Sequence, residues 1–131
     1  MTSARILVVE DEIITAKNLQ NKLRNLGYTV PAIAFSGEEA IAKAIDIRPD
    51  LVLMDIRLPY EDGYGALQKI RSSPSLKNTK VVAVTAEASP EQMEKSKKSG
   101  FDGFIGKPLD PDHFPEQIKA ILSGQEIWEF E

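Results

Sequence analysis

Cysteine is absent from this chain of 131 residues, which excludes disulfides, thiolate metal sites and thiol catalysis. Also missing is any apolar stretch approaching the ~20 residues that span a bilayer. Basic charge is in short supply as well. Sixteen Lys and Arg stand against 20 Asp and Glu, and the net charge of −4 gives no general attraction to nucleic acid or to an anionic membrane surface. The one compact basic cluster, Lys95, Lys97 and Lys98, lies among Glu91 and Glu94 and reads as a solvated helix face. The start, Met1-Thr2-Ser3-Ala4-Arg5, leads straight into a strand-like run and carries no secretory pattern, so a cytoplasmic location is expected. No long Gly/Ser/Pro linker, low-complexity tract or internal repeat interrupts the chain.

What is present is an alternation of short apolar runs with longer amphipathic segments, the pattern of repeated βα units. Strand one is read at Arg5 to Val9. Helix one follows over Ile13 to Leu26, with Ile14, Leu19, Leu23 and Leu26 near helical spacing and Gly27 as its stop. Strand two, Thr29 to Ala34, contains Pro31 and is therefore expected at a sheet edge. Helix two opens at Ser36, with Glu39 placed to complete a capping box, and runs through Ala40, Ile41, Ala44 and Ile45. Strand three is Leu51 to Met54. Helix three covers Tyr64 to Ser72 with Leu67 and Ile70 inward, and strand four is Lys80 to Val84. Helix four starts after the cap Ser89, with Pro90 at its first position, and ends at Gly100. Strand five, Gly103 to Ile105, leads through Lys107-Pro108 to helix five, Asp112 to Leu122. Strands one, three and four are apolar without alternation, as parallel strands covered on both faces require. One α/β domain of five βα units is expected over 1–122. A tail, 123–131, has no clear place in it.

Four apolar runs finish on reactive polar residues: Glu10-Asp11, Asp55, Thr85 and Lys107. In open parallel sheets ligands bind outside the carboxyl ends of the strands. Three carboxylates there repel one another, and an oxygen-seeking cation relieves this; magnesium fits, keeping several waters and accepting phosphate oxygens. Glu10 and Asp11 also suit the N-terminus of helix one simply as acidic residues. Asp55 is either a solvated strand-end residue or a nucleophile that forms an aspartyl phosphate. Lys107 suits charge neutralisation on a transferring phosphoryl group, and Thr85 offers a short hydroxyl to it. Their plainer readings are a surface lysine beside a loop and a helix-entry residue.

The set Glu10-Asp11, Asp55, Thr85-Ala86 and Lys107-Pro108 resembles response-regulator receiver domains, and Met54-Asp55-Ile56-Arg57-Leu58-Pro59 with Asp62-Gly63 resembles their phosphoacceptor loop. The likeness covers Arg5 to Leu122. It implies a flavodoxin-like (βα)5 fold, a parallel five-stranded sheet of order 2-1-3-4-5 with helices on both faces. It further implies that Asp55 accepts phosphoryl from a sensor histidine kinase or a histidine phosphotransfer protein. Glu10, Asp11, Asp55 and the backbone carbonyl of Arg57 would hold Mg2+, with Mn2+ as a substitute. Thr85, Ala86 and Lys107 would bind the phosphoryl group, and Thr85 and Phe104 would form the switch. A downstream effector would contact the face of helix four, strand five and helix five, where Gln92, Lys95, Phe101, Phe104 and His113 are the residues of interest. Phe104 as a permanent core residue is the alternative.

Arg57 and Glu87, two residues beyond Asp55 and Thr85, carry opposite charges that would pair across the site and slow phosphate loss; two solvated charges is the plainer reading. Arg57 also stands where aspartate-nucleophile phosphohydrolases carry their acid/base, which argues against a turnover enzyme. A nucleotide-binding module would want a glycine- or hydroxyl-rich loop after strand one, where Glu10-Asp11-Glu12 stands instead. The receiver part of a larger hybrid kinase and a phosphorylation-independent interaction domain are the remaining alternatives. His113 reads as a surface or half-buried residue rather than a phosphoryl carrier. Ile127, Trp128 and Phe130 suggest that the tail packs back on the domain or joins copies in a homodimer.

Overall fold

Apolar strands with charged flanks bury themselves between two helical layers. The computed structural model, which describes residues 3–60 and 62–129, shows how. The elements are β1 (Arg5–Val9), α1 (Ile13–Asn25), β2 (Thr29–Ala34), α2 (Gly37–Ile47), β3 (Leu51–Met54) and α3 (Gly63–Arg71). After a 3-10 turn at Pro74–Leu76 come β4 (Lys80–Thr85), α4 (Pro90–Ser99), β5 (Gly103–Gly106), α5 (Phe114–Leu122) and β6 (Trp128–Glu129). The sheet order is β2-β1-β3-β4-β5-β6, all parallel. The expected 2-1-3-4-5 order stands, with β2 at the edge that Pro31 indicates. The difference is a sixth strand, built from the tail.

Alternate residues of each strand feed opposite layers. Leu7, Val9, Val52, Met54, Val81, Ala83 and Phe104 pack under α2, α3 and the Phe101 end of α4. Ile6, Val8, Leu51, Leu53, Val82, Val84 and Ile105 pack under α1 and α5. Burial of this many fully enclosed aliphatic side chains, each worth about 1.5–3 kcal/mol, is the main stabilising contribution.

Helix ends follow their sequence signals. Ser36 Oγ accepts from Glu39 N at 3.2 Å and Ser89 Oγ from Gln92 N at 3.1 Å. The carboxylate of Glu39 turns to Lys43 Nζ, 3.5 Å away. Gly100 closes α4 with φ +105°, which a side-chain-bearing residue rarely adopts.

Not every apolar helix residue faces the core. Ile14 and Leu26 are exposed, because the inward stripe of α1 is Ala16, Leu19, Gln20 and Leu23, at i, i+3, i+4 and i+7. Ile14 is five residues from Leu19 and so falls off that stripe. Ile45 is likewise exposed beside buried Ala40 and Ala44. Helix α5 begins at Phe114 rather than Asp112, since Asp110 first closes a turn by accepting from His113 N and Phe114 N.

The loop after β3 is held by a close backbone approach at Gly63. Its N–H donates to Ile56 O at 2.7 Å, and a Cβ there would lie 2.8 Å from Asp55 O and 2.9 Å from Ile56 Cα. Gly63→Ala is expected to cost about 1–3 kcal/mol through this overpacking, read as a lower urea midpoint with an unchanged slope.

Candidate phosphoryl-acceptor site

The strand ladders place the polar residues one step beyond the core. Val9 pairs with Met54 and Thr85 with Gly106, so Glu10 and Asp55 emerge side by side while Lys107 follows β5 next to Thr85. The backbone bonds continue past the strands: Glu10 N donates to Ala34 O (2.9 Å), Asp55 N to Val9 O (3.0 Å) and Lys107 N to Thr85 O (2.8 Å). Each functional side chain therefore starts from a fixed main chain. The Lys107–Pro108 peptide is cis.

At the centre Lys107 Nζ donates to Glu10 Oε1 and, at 3.3 Å, to Asp55 Oδ2. Glu10 is buried and its second oxygen, Oε2, accepts from Glu12 N at 3.2 Å. Burial pushes the Glu10 carboxyl above the usual carboxylate range, and the Lys107 hydrogen bond partly offsets it. For Lys107, burial alone would lower the pKa; the contacts with Glu10 and Asp55 outweigh it and raise the ammonium above its ordinary value. Asp55 Oδ1 accepts from Arg57 N at 3.1 Å.

A pocket of about 490 Å³ opens over this edge, lined among others by Asp11, Asp55, Arg57, Ala86 and Lys107. Asp11 and Ala86 are exposed on its rim. Thr85 is fully buried behind it, its Oγ1 accepting from Glu87 N at 3.1 Å. Arg57 Nε and Glu87 Oε1 do pair, at 3.4 Å, on the exposed rim. The structure thus brings Glu10, Asp11, Asp55, Arg57, Thr85, Ala86, Glu87 and Lys107 to one edge. Among the described residues, however, no three His, Cys, Asp or Glu side chains form a ready-made metal cluster. Both Glu10 oxygens and both Asp55 oxygens have hydrogen-bond partners, whereas Asp11 is exposed on the pocket rim.

Phe104 is fully buried in the core. Phe101 is also buried, so neither ring lies on the surface formed by α4, β5 and α5. Gln92 Oε1 accepts from Tyr64 Oη at 2.7 Å, and Lys95 Nζ sits 4.4 Å from the centre of the Tyr64 ring. His113 Nε2 lies 3.2 Å from Glu129 Oε1. Tyr64 escaped the sequence reading because it looked like one more helix-three residue. Its phenol is held between α3 and α4, with a pKa raised chiefly by burial.

Comparison with known proteins agrees with this geometry. The family described as response regulator receiver domain matches residues 6–119. The chain belongs to that family. The chemotaxis protein CheY of Treponema pallidum is 37% identical over 120 residues, covering 90% of this chain and 82% of the relative. The polar-differentiation response regulator DivK of Brucella anthropi is 32% identical, covering 89% and 94%. The receiver domain of sensor histidine kinase PA1611 from Pseudomonas aeruginosa superposes with a TM-score of 0.78 at 32% identity, covering 93% of this chain and 96% of that one; its structure has magnesium coordinated in the active site cleft. The receiver chain spans only 57% and 46% of two probable transcriptional regulators, ycf29 of Porphyra purpurea and ycf27 of Guillardia theta.

The contact of half-buried Lys107 with buried Glu10 yields a stability prediction. Lys107→Met leaves a buried carboxylate without its cation and is expected to cost about 3–5 kcal/mol at neutral pH. A carboxyl whose folded pKa is raised binds more protons folded than unfolded, so the variant's stability falls as pH rises above the ordinary carboxylate value. Urea unfolding of the variant and the parent across pH 4–8 would check this; the penalty should shrink towards the acid end.

Proposed function

We propose that this receiver domain is a phosphorylation-dependent signalling switch of a two-component phosphorelay, with Asp55 as the phosphoacceptor. The observation that carries the reading is the Lys107 ammonium held against Asp55 at the floor of an open acidic pocket. Asp55 attacks the phosphorus of a phosphohistidine on a sensor kinase or histidine phosphotransfer protein. The P–N bond breaks, the imidazole nitrogen leaves with the electron pair and takes a proton from solvent, and an acyl phosphate forms on Asp55. Lys107 neutralises charge on the transferring group.

The donor set suits a magnesium ion, which takes one or two carboxylates and keeps waters. Asp11, Asp55 and the Arg57 carbonyl would hold it, and manganese fits the same oxygen donors. When bound it supplies charge neutralisation for the phosphoryl oxygens. Glu10 supports the set in a different way, by anchoring Lys107 while its own oxygens are engaged. Thr85 and the rim at Ala86 would bind the added phosphoryl oxygens, with Thr85 leaving its bond to the Glu87 amide. Buried Phe104, on the strand that ends at Lys107, is the residue through which a shift of Thr85 and β5 would be felt on the α4–β5–α5 face. That face is the proposed contact for a downstream effector.

Arg57 stands where a hydrolase of this chemistry needs an acid/base, so the domain takes part in its own phosphorylation and dephosphorylation without turning over external substrates. Ile13 and Ile14, 61% and 77% exposed beside the pocket residues Glu12 and Thr15, form an apolar landing for the donor protein. Among the described residues no helix is long and apolar enough to cross a membrane.

Incubation with magnesium and a small phosphodonor should add one phosphoryl group by intact mass, and Asp55→Asn should abolish it; a parent chain that gains none overturns the proposal. Lys107→Ala should slow phosphorylation by roughly 10²-fold or more. Ile14→Glu should slow transfer from a phosphohistidine protein while leaving the small-donor rate unchanged. If the Arg57–Glu87 pair shields the acyl phosphate from water, Arg57→Asn and Glu87→Ala should each shorten its half-life severalfold, and unchanged decay in both would dismiss that role.

A further inference from the structure

The tail is the part of the molecule that the phosphoacceptor reading leaves unused. It leaves α5 through Ser123 and Gly124, the latter at φ +99°, and returns alongside β5. Its seat has four independent features. Phe104 N, on a fully buried residue, donates to Ile127 O at 2.7 Å. Gly103 makes room for the approach, since a Cβ there would lie 2.8 Å from Ile127 O and 3.3 Å from Val82 Cγ2. Trp128 packs against the core layer of Phe104 and takes the Lys97 ammonium 5.1 Å from its ring centre. Glu129 points to the other side, where Gln117 Nε2 donates to Oε1 at 2.9 Å and His113 Nε2 lies 3.2 Å away.

These contacts read side chains in alternation, aromatic towards α4 and carboxylate towards α5, around a main-chain pairing. That is how an extended peptide is recognised when it adds to a sheet edge. Without the tail, β5 would be an open edge with the buried Phe104 N–H unpaired, a ready template for another strand. The tail itself is only half-buried and pairs through two residues, Trp128 and Glu129.

We propose that the outer edge of β5 is a strand-docking groove selective for an extended segment carrying a large aromatic residue followed by a carboxylate. The chain's own residues 126–129 are its resident ligand, and the partner that fits it from outside is the same segment of a second copy. The seated tail keeps the groove closed to that partner. This adds a second, self-occupied binding site on the α4–β5–α5 face, and it holds whether or not Asp55 is phosphorylated.

The test uses the full chain and a capped peptide of residues 125–129. In Trp128→Ala/Glu129→Ala the tail loses both side-chain anchors, so the Phe104 amide should exchange at least about tenfold faster than in the parent. Titrated with the peptide, this variant should bind it saturably, with shifts at Phe104 and Gln117 in the NMR spectrum. The parent should bind at least about tenfold more weakly, because its groove is filled. Adding Gln117→Ala should weaken binding, and adding Gly103→Ala should abolish it, each judged only on variants whose circular dichroism and melting show a folded chain; if Gly103→Ala does not fold, the Gln117→Ala arm decides. Three results overturn the proposal: no peptide binding by the opened variant, equal binding by the parent, or an equally protected Phe104 amide in both.

Discussion

A half-buried ammonium between two carboxylates holds this site together. Lys107 bonds Glu10 and Asp55 at once, and burial acts on the two partners in opposite senses. Burial disfavours the charged form of both Glu10 and Lys107, and the contact between them favours it on each side. The contact also ties the ends of β1, β3 and β5 across the sheet. Asp55 is thereby kept next to a positive charge with one oxygen facing Lys107 and the other the Arg57 amide.

That constraint explains why the carboxylates do not behave as one group. Glu10 spends its oxygens on Lys107 and the Glu12 amide, whereas Asp11 stays exposed and Asp55 opens to the pocket. Three acidic residues at one sheet edge thus divide into one buried anchor and two that line the pocket. The division suits an ion that brings its own waters. The same strand that delivers Lys107 carries Phe104 into the core and pairs with the tail, so the acidic pocket and the α4–β5–α5 face share β5 as a common element.

Much of this was legible beforehand. Apolar runs without alternation announced a parallel sheet covered on both sides, Pro31 announced an edge, and Ser36, Ser89 and Gly100 marked helix ends where they occur. Glu10, Asp11, Asp55, Thr85 and Lys107 could be grouped because each follows an apolar run, and parallel strands carry such residues to the same edge. Burial was less legible. Ile14, Leu26 and Ile45 look inward by type, yet a helix buries by angle, and their angles face water. Phe101 and Phe104 look like contact residues by position, yet both rings pack into the core layer beneath α3 and α4 instead.

The amino-acid order alone determined the strand ends, because side-chain period and turn residues are local properties of the chain. Membership of the receiver family follows from the same residues. Tertiary structure decided which carboxylate meets the lysine, since Glu10 and Lys107 are 97 positions apart and only the sheet register brings them into contact. It also decided the fate of the tail. Nothing local in Glu126-Ile127-Trp128-Glu129 distinguishes a strand from a loose end; the open edge of β5, with glycine at Gly103 and a buried N–H at Phe104, makes it one.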